Sequence, residues 1–354
     1  MSLPSEGPSS KSLSRPRSRF WPFALAVAIL FLAFDLWLVL RWLPAGKTSA
    51  NDSTADSAPI GGSGPVALAV FAAQDTRGWQ TVPRGTQVCD GATFVCDGAI
   101  RFGGLRAARD GKNYPGAVLD VPVRGLGSRI HFLQSSENSS GAVEGAPYGR
   151  IVLHYTNGET RRFDLLYAVH GRDWMQNPRN PVQPPLDPNT TLGWSELHPR
   201  RGTMIRFYHT TFANPLPDVE ITSADFVSPL QSANLLLFGF TVDNNPRPLA
   251  APWQSENPAL IPPTDGITVI LQDAAGRPLP DATFEWSAVA LRGQVDFPPM
   301  RADAQARVLL EFQQSALRQI LYTAHTASGK TLSGELQPDA TGRFEPVTRI
   351  KLSP

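Results

Sequence analysis

The residues best suited to bind a ligand lie in one stretch of the chain, His170-Gly-Arg-Asp-Trp174, and Trp194 follows after a proline-rich loop. Aromatic rings on loops can stack on sugar faces while Asp and Arg take the hydroxyls, and binding groups commonly lie on loops of a rigid scaffold. We therefore predict a ligand site formed by Arg172, Asp173, Trp174 and Trp194. The alternative is structural: Arg172 and Asp173 pair to brace the loop, and Trp174 closes one end of a β-sandwich.

Metal and catalytic chemistry have weaker support. Four histidines lie in or beside β-rich segments: His131, His154, His170 and His209. No two are spaced i, i+2 in one segment, and the chain has no H-E-x-x-H, G-x-S-x-G or EF-hand pattern. Glu137 and Glu144 would suit a glycosidase only across a cleft, and their Ser/Gly-rich surroundings predict a solvated or weakly calcium-binding loop. We predict no metal, no cofactor and no catalytic residue.

The two cysteines are Cys89 and Cys96, seven positions apart. In an oxidising compartment they could form a disulfide around Asp90-Gly91. The alternative is two small buried apolar side chains that lie close together. We favour the disulfide, because the features that follow indicate a location outside the cytoplasm.

An apolar run from Phe20 to Leu43 decides on which side of a membrane the rest of the chain lies. Its part from Phe20 to Leu40, interrupted only by Asp35, spans about 30 Å as a helix, close to one hydrocarbon core. Basic residues are concentrated before the run, at Lys11, Arg15, Arg17 and Arg19. This asymmetry predicts an N-terminus in the cytoplasm and C-terminal domains in the periplasm or outside.

A cleaved signal peptide is the alternative to a membrane anchor. The flank Leu40-Arg41-Trp42-Leu43-Pro44 offers no small-x-small cleavage site, so we predict an uncleaved, single-pass anchor in the cytoplasmic (inner) membrane. Asp35 either contacts a partner membrane protein or lies near the outer interface, where it can reach Arg41.

Composition narrows the fold class. Net charge is +1 with scattered basic residues, which excludes the basic patch that nucleic acids require. Charged residues make up 18% of the chain beside 33 Pro and 29 Gly, a usage typical of many short strands. The sequence therefore predicts a mainly β protein with an N-terminal transmembrane helix.

The predicted plan has six parts: a disordered cytoplasmic tail (1–19), the transmembrane anchor (20–43), a flexible tether (44–65), a first β-sandwich (66–243), a Pro-rich linker (244–264) and a second, smaller β-sandwich (265–354). Within the first sandwich, Asn157-Gly158 marks a hairpin turn. A three-residue loop, Thr156 to Gly158, puts both apolar sets of the flanking strands on one face, and it requires left-handed geometry at Gly158.

Two resemblances refine this plan. Asp273-Ala-Ala-Gly-Arg-Pro-Leu-Pro-Asp-Ala and, later, Arg301-Ala-Asp-Ala-Gln-Ala-Arg-Val-Leu-Leu resemble carboxypeptidase regulatory-like domains, although Gln305 or Ala306 replaces the usual Gly. That resemblance implies an immunoglobulin- or transthyretin-like sandwich without catalytic residues. Gly149-Arg-Ile-Val-Leu-His-Tyr-Thr-Asn-Gly and Ile205-Arg-Phe-Tyr-His-Thr-Thr-Phe resemble uncharacterised bacterial jelly-roll domains of galactose-binding type. That resemblance implies surface or carbohydrate recognition.

Together these features predict a membrane-anchored, non-enzymatic protein that binds a glycan or another envelope component through loops of the first sandwich. A structural or assembly partner of another membrane protein is the alternative. A glycoside hydrolase is a third reading, and it would need two facing carboxylates.

Overall fold

The computed structural model describes residues 63–68, 79, 81–255, 266–312 and 317–352. The predicted tail, the anchor from Phe20 to Leu43 and most of the tether lie outside these residues. Within the described part of the chain, no helix is long and apolar enough to cross a membrane.

The described chain is mainly β, as predicted. Its first half contains β1 (Gly64–Val66), β2 (Gly85–Cys89), β3 (Ala92–Cys96), β4 (Ile100–Arg101), α1 (Leu105–Arg109), β5 (Ala117–Gly125), β6 (Arg129–Glu137), β7 (Pro147–Tyr155), β8 (Thr160–Leu166) and β9 (Met175–Gln176). There follow β10 (Thr190–Leu197), β11 (Met204–Ala213), β12 (Ile221–Val227), β13 (Asn234–Asp243), β14 (Gly266–Asp273), β15 (Thr283–Val289), β16 (Gln294–Arg301), β17 (Arg307–Glu311), β18 (Gln319–His325), β19 (Thr331–Leu336) and β20 (Val347–Leu352).

The first sandwich packs a seven-stranded sheet against a four-stranded one. The larger sheet has the order β1-β13-β6-β11-β10, with β4 added beside β13 and β9 beside β11, and the smaller has the order β5-β12-β7-β8. Inward side chains of both sheets, such as Phe132, Phe226 and Phe240, form one apolar core. Side chains alternate along a strand, so the residues of the larger sheet that lie between the inward-facing ones point to its outer face, away from the smaller sheet.

The outer face of the larger sheet is also partly apolar, because a hairpin covers it. Leu133, Phe207 and Phe238 point outward and pack with the β2–β3 hairpin, whose Phe94 is fully buried. A Cβ on Gly239 would lie 2.6 Å from the Phe94 ring, so the close approach of the hairpin requires glycine there.

The second sandwich is smaller. Its sheets have the orders β17-β14-β20 and β16-β15-β18-β19, with β14 and β20 parallel. Trp286 stacks on Phe297 at 4.0 Å between ring centroids, and Phe284 on Tyr322 at 5.4 Å. These rings belong to one continuous apolar core.

The two sandwiches share part of that second core. Leu105, Ala108, Ala117 and Leu230 come from the first sandwich, yet they pack into the core of the second. Gly116 donates its N–H to the carbonyl of Asp296 at 2.6 Å. All described residues belong to one compact unit of the chain.

The described part of the predicted linker, Asn244 to Ser255, lies along the first sandwich, and we call it the strap. Asn189 exchanges two hydrogen bonds with Ala250, at 3.1 and 2.8 Å. Trp253 donates its N–H to Asp187 at 2.8 Å. The side chain of Asp187 therefore ties the end of the strap to the sandwich.

The β7–β8 hairpin has the predicted loop. His154 pairs with Thr160 and Ile151 with Phe163, which leaves Thr156 to Gly158 as a three-residue loop. Gly158 has φ +81°, the left-handed geometry that the sequence predicted.

Candidate functional site

Two concave sites border the hairpin-covered outer face of the larger sheet. Strand β6 contributes to both, because His131 and Glu137 lie on the same side of it as the outward Leu133. We call the site near Glu137 the tryptophan cleft and the site near His131 the histidine pocket.

The tryptophan cleft has a volume of about 510 Å³. Trp79 and Trp174 form its aromatic wall, with ring centroids 5.4 Å apart and planes inclined at 35°. The Arg101 guanidinium lies 5.4 Å from the Trp79 ring and 4.5 Å from the Tyr114 ring, and it forms a two-point ion pair with Glu137. Glu137 is only 5% exposed, and the Arg101 guanidinium compensates its buried negative charge.

Polar and charged residues also line the cleft. Thr81 Oγ1 and Trp174 Nε1 are buried and have no hydrogen-bond partner within the described chain. Arg200 and Arg201 line the same cleft with exposed side chains. Since Arg101 and Glu137 neutralise each other, these two guanidinium groups give the cleft a positive charge.

The predicted site residues do not form one surface. Arg172 donates to the carbonyl of Pro184 at 3.3 Å and to Gln183 at 3.0 Å. Asp173 accepts from the Ser139 hydroxyl at 2.8 Å and from the N–H of Met175 at 3.0 Å. Each side chain thus braces a loop through partners of its own.

Trp174 lines the cleft, whereas Trp194 lies outside it and packs 5.8 Å from Phe207. A bulge at Gly193 shifts the register of β10, so that Trp194 pairs with Phe207 of β11. A Cβ on Gly193 would lie 2.9 Å from Leu133. Of the four predicted residues, the cleft therefore includes one.

The predicted Cys89–Cys96 disulfide is not formed in this structure, where both thiols are free and buried. Cys89 pairs with Ala92 beside the turn of the hairpin, and Cys96 pairs with Gly85 at its far end. Four rungs of an antiparallel ladder separate them by about 14 Å, beyond the Cα separation that a disulfide spans. Burial raises the pKa of the Cys96 thiol to about 12.

The two glutamates occupy different environments. Glu137 is buried at the end of β6, not in a solvated loop as predicted, because Arg101 partners it. Glu144 is exposed in the following loop. Across the described residues, no group of three or more His, Cys, Asp and Glu side chains is arranged to hold a metal ion.

The histidine pocket, of about 140 Å³, joins histidines that are far apart in sequence. His131 Nδ1 lies 3.0 Å from His209 Nε2, and His131 Nε2 lies 2.9 Å from Asp243. His209 Nδ1 lies 3.6 Å from Asp90, whose pKa is lowered first by the hydrogen bond from Thr191. Burial lowers the pKa of His131, and burial with the nearby His131 lowers that of His209 to about 4.

The other two of the four histidines named from the sequence lie apart from this pair. His154 contacts Asp225 at 2.8 Å, and His170 lies 3.9 Å from Asp187. Sequence reasoning missed Trp79, Arg101 and Asp90 as site residues. Each stands alone in its segment, so only the tertiary pairing of the strands identifies them.

Comparisons with known proteins add little. No protein-family model and no curated protein matches the chain. The crystal structure of a group B streptococcus pilus 2b backbone protein is similar at 8% identity, covering 77% of this chain and 95% of that one, with a TM-score of 0.20. A TM-score this low carries no argument about fold or function.

Proposed function

We propose that this protein is a non-enzymatic, membrane-anchored binding protein whose tryptophan cleft recognises a carbohydrate of the cell envelope. The observation that carries the proposal is the Trp79–Trp174 wall beside the paired Arg101 and Glu137. Aromatic rings offer apolar faces to a sugar, and a few fixed polar groups around them give orientation.

The charge of the cleft favours a sugar that carries acidic groups. Arg200 and Arg201 have exposed guanidinium groups, and arginine pairs with carboxylates and phosphates through two parallel hydrogen bonds. An acidic envelope polysaccharide fits this cleft better than a neutral one.

The predicted anchor and domain types belong to the same proposal. Phe20 to Leu43 would hold the protein in the cytoplasmic membrane, with the sandwiches on the outer side. The first sandwich would be a jelly roll. The second would be an immunoglobulin- or carboxypeptidase-regulatory-like module, whose seven described strands in two sheets agree with that type.

The test uses full-length protein in detergent on a glycan array and in a cell-wall pull-down. Trp79→Ala should weaken binding at least tenfold. Trp194→Ala is the matched control, because it removes a tryptophan from the same sheet face outside the cleft. Arg200→Gln combined with Arg201→Gln should weaken binding of acidic glycans more than that of neutral ones.

Two results would reject carbohydrate binding in the cleft. One is a folded wild-type protein that binds neither glycans nor cell walls. The other is equal loss of binding in Trp79→Ala and Trp194→Ala. The first result would favour an assembly role, which Asp35→Leu and co-purification of the full-length protein would then examine.

A further inference from the structure

Residues 105–113, which contain α1 of the first sandwich, lie against the β15–β16 turn of the second. A Cβ on Gly293 would lie 2.7 Å from the carbonyl oxygen of Ala108 and 3.2 Å from the Cα of Gly111, so the two segments touch. The N–H of Gln294 donates to Asn113 Oδ1 at 3.4 Å. The exposed side chains of the two segments therefore share one surface.

That surface carries five exposed cations, which we call the cationic patch: Arg106, Arg109, Lys112, Arg292 and Arg318. Arg318 belongs to it because its N–H donates at 2.9 Å to the carbonyl of Val289, which directly precedes the turn. None of the five forms an ion pair within the described chain, and in the segments 105–113, 289–294 and 317–319 Asp110 is the single acid. Cations that are scattered in the sequence thus come together in the fold, with an excess of four positive charges.

An exposed apolar side chain accompanies these cations. The N–H of Ala290 donates to the carbonyl of Gly293 at 2.9 Å, which makes Leu291 and Arg292 the central residues of the turn. Leu291 is 53% exposed. Segments that lie on a membrane combine the two features, since cations pair with anionic headgroups while an apolar side chain enters the boundary of the acyl chains. A dissolved polyanion would use the cations and leave Leu291 in water.

The chain is long enough to bring this patch to the membrane of the proposed anchor. A Cβ on Gly104, directly before α1, would lie 3.0 Å from the Cβ of Asn234, at the start of β13. Gly64 pairs with Val242 near the other end of β13, about 27 Å away at the rise of a strand. The twenty residues from 44 to 63 can extend to about 70 Å, more than twice that distance.

We propose that the cationic patch binds the surface of a membrane containing anionic phospholipids, with Leu291 in the headgroup region and the cations paired with lipid phosphates. The proposal rests on the proposed membrane anchor and is independent of glycan binding in the tryptophan cleft. Each arginine or lysine near such a surface strengthens binding about fivefold, and salt screens the effect. A second attachment of this kind would limit how far the sandwiches move from the membrane.

The test places an environment-sensitive NBD fluorophore on Leu291→Cys in the full-length protein. The protein is reconstituted in vesicles of phosphatidylcholine alone or of an equal mixture with phosphatidylglycerol. NBD emission should rise at least twofold and shift to the blue in the mixed vesicles at low salt, and high salt should reverse the change. Cys89 and Cys96 are buried, and wild-type protein taken through the same labelling measures their contribution.

Two matched controls separate the patch from general effects of exposure and charge. Leu309→Cys carries the same label at a position in β17 outside the patch, where the native leucine is 56% exposed, and it should not respond. Lys112→Gln with Arg292→Gln should remove most of the response at Leu291→Cys. Arg349→Gln with Lys351→Gln removes the same two charge types from exposed positions of β20 and should leave the response unchanged.

The inference is overturned if the label at position 291 stays in water in the mixed vesicles, if the label at position 309 responds equally, or if the Lys112 and Arg292 changes have no effect. A response to soluble polygalacturonate but not to mixed vesicles would assign the patch to an acidic polymer and reject the lipid surface.

Flotation with phosphatidylcholine vesicles reports on the anchor separately. A chain that does not float, yet whose label at position 291 responds to added mixed vesicles, would reject the anchor and retain the patch. The glycan array tests the cleft independently, because none of these fluorescence measurements requires a bound sugar.

Discussion

The two sandwiches differ in what they bury. Twenty polar or charged residues are buried in the described chain, and all of them lie between Thr81 and Thr241. The second sandwich, from Gly266 onward, has a core of aromatic and aliphatic side chains. Buried polar groups cost stability unless they are paired, so their concentration in one sandwich marks the region whose structure serves something besides stability.

The second sandwich relies on local loops. In four of them, one side chain accepts from the main-chain N–H four residues later; these are Asp273, Asp303, Thr326 and Asp339. The residue before each donor has positive φ: Gly276, Ala306, Gly329 and Gly342. A scaffold built from repeated local turns needs no buried polar network, so its surface loops can vary without disturbing its core.

Lowering the pH should destabilise the protein through the first sandwich, the largest effect we expect. Burial lowers the pKa of His170 and His209 to about 4, from an ordinary value of 6.5. As the pH falls, the unfolded chain therefore binds protons before the folded chain does. The contribution of these histidines to folding stability is complete above pH 6.5 and is lost as the pH falls toward 4. Each histidine contributes about 1.4 kcal/mol per pH unit within that window.

Urea unfolding at pH 7, 6, 5 and 4.5 measures this slope. His209→Gln and His170→Asn should each reduce it by about one proton, and His325→Gln in the second sandwich is the matched control. An unchanged slope in the variant that carries both His209→Gln and His170→Asn would show that the buried histidines of the first sandwich are not responsible.

Breaking the Arg101–Glu137 pair should have the next largest effect. Arg101→Met leaves a buried carboxylate without its cation, which costs about 3–5 kcal/mol. Replacing both residues, with Arg101→Met and Glu137→Met, should restore most of that stability. Binding in the cleft should be lost in the single and the double variant alike. Urea unfolding and the glycan array measure the two properties separately. If the double variant is as unstable as the single one, unpaired charge is not the cause.

The structural features that depend on local sequence pattern could be predicted from the sequence. The Asn157-Gly158 loop followed from the faces of its flanking strands, and the composition predicted the mainly β class. Strand β5 is harder to predict because Pro122 lies inside it, and proline within a run argues against a central strand. It pairs on one side with β12, at the edge of its sheet, where a missing N–H is tolerated.

The candidate sites could not be predicted in the same way. Trp174 was identified because it lies in a short polar stretch, but Trp79 and Glu137 reach it only through the tertiary fold. Trp194 reaches the same outer face as Trp174 only through a one-residue bulge at Gly193, and it lies there outside the cleft. Long-range register decides both outcomes, and a single sequence carries no direct signal of register.

The smallest effect we predict concerns the junction between the two sandwiches. A Cβ on Gly116 would lie 2.5 Å from the Phe297 ring, so Gly116→Ala should cost about 1–3 kcal/mol by overpacking the shared core. Gly64→Ala is the control, because nothing lies within 4 Å of its Cβ position. If the shared core couples the sandwiches, Gly116→Ala should split urea unfolding into two transitions, with the second sandwich melting apart from the histidines of the first. A single transition shifted as little as that of Gly64→Ala would mean that the two regions, however different their cores, do not depend on this contact.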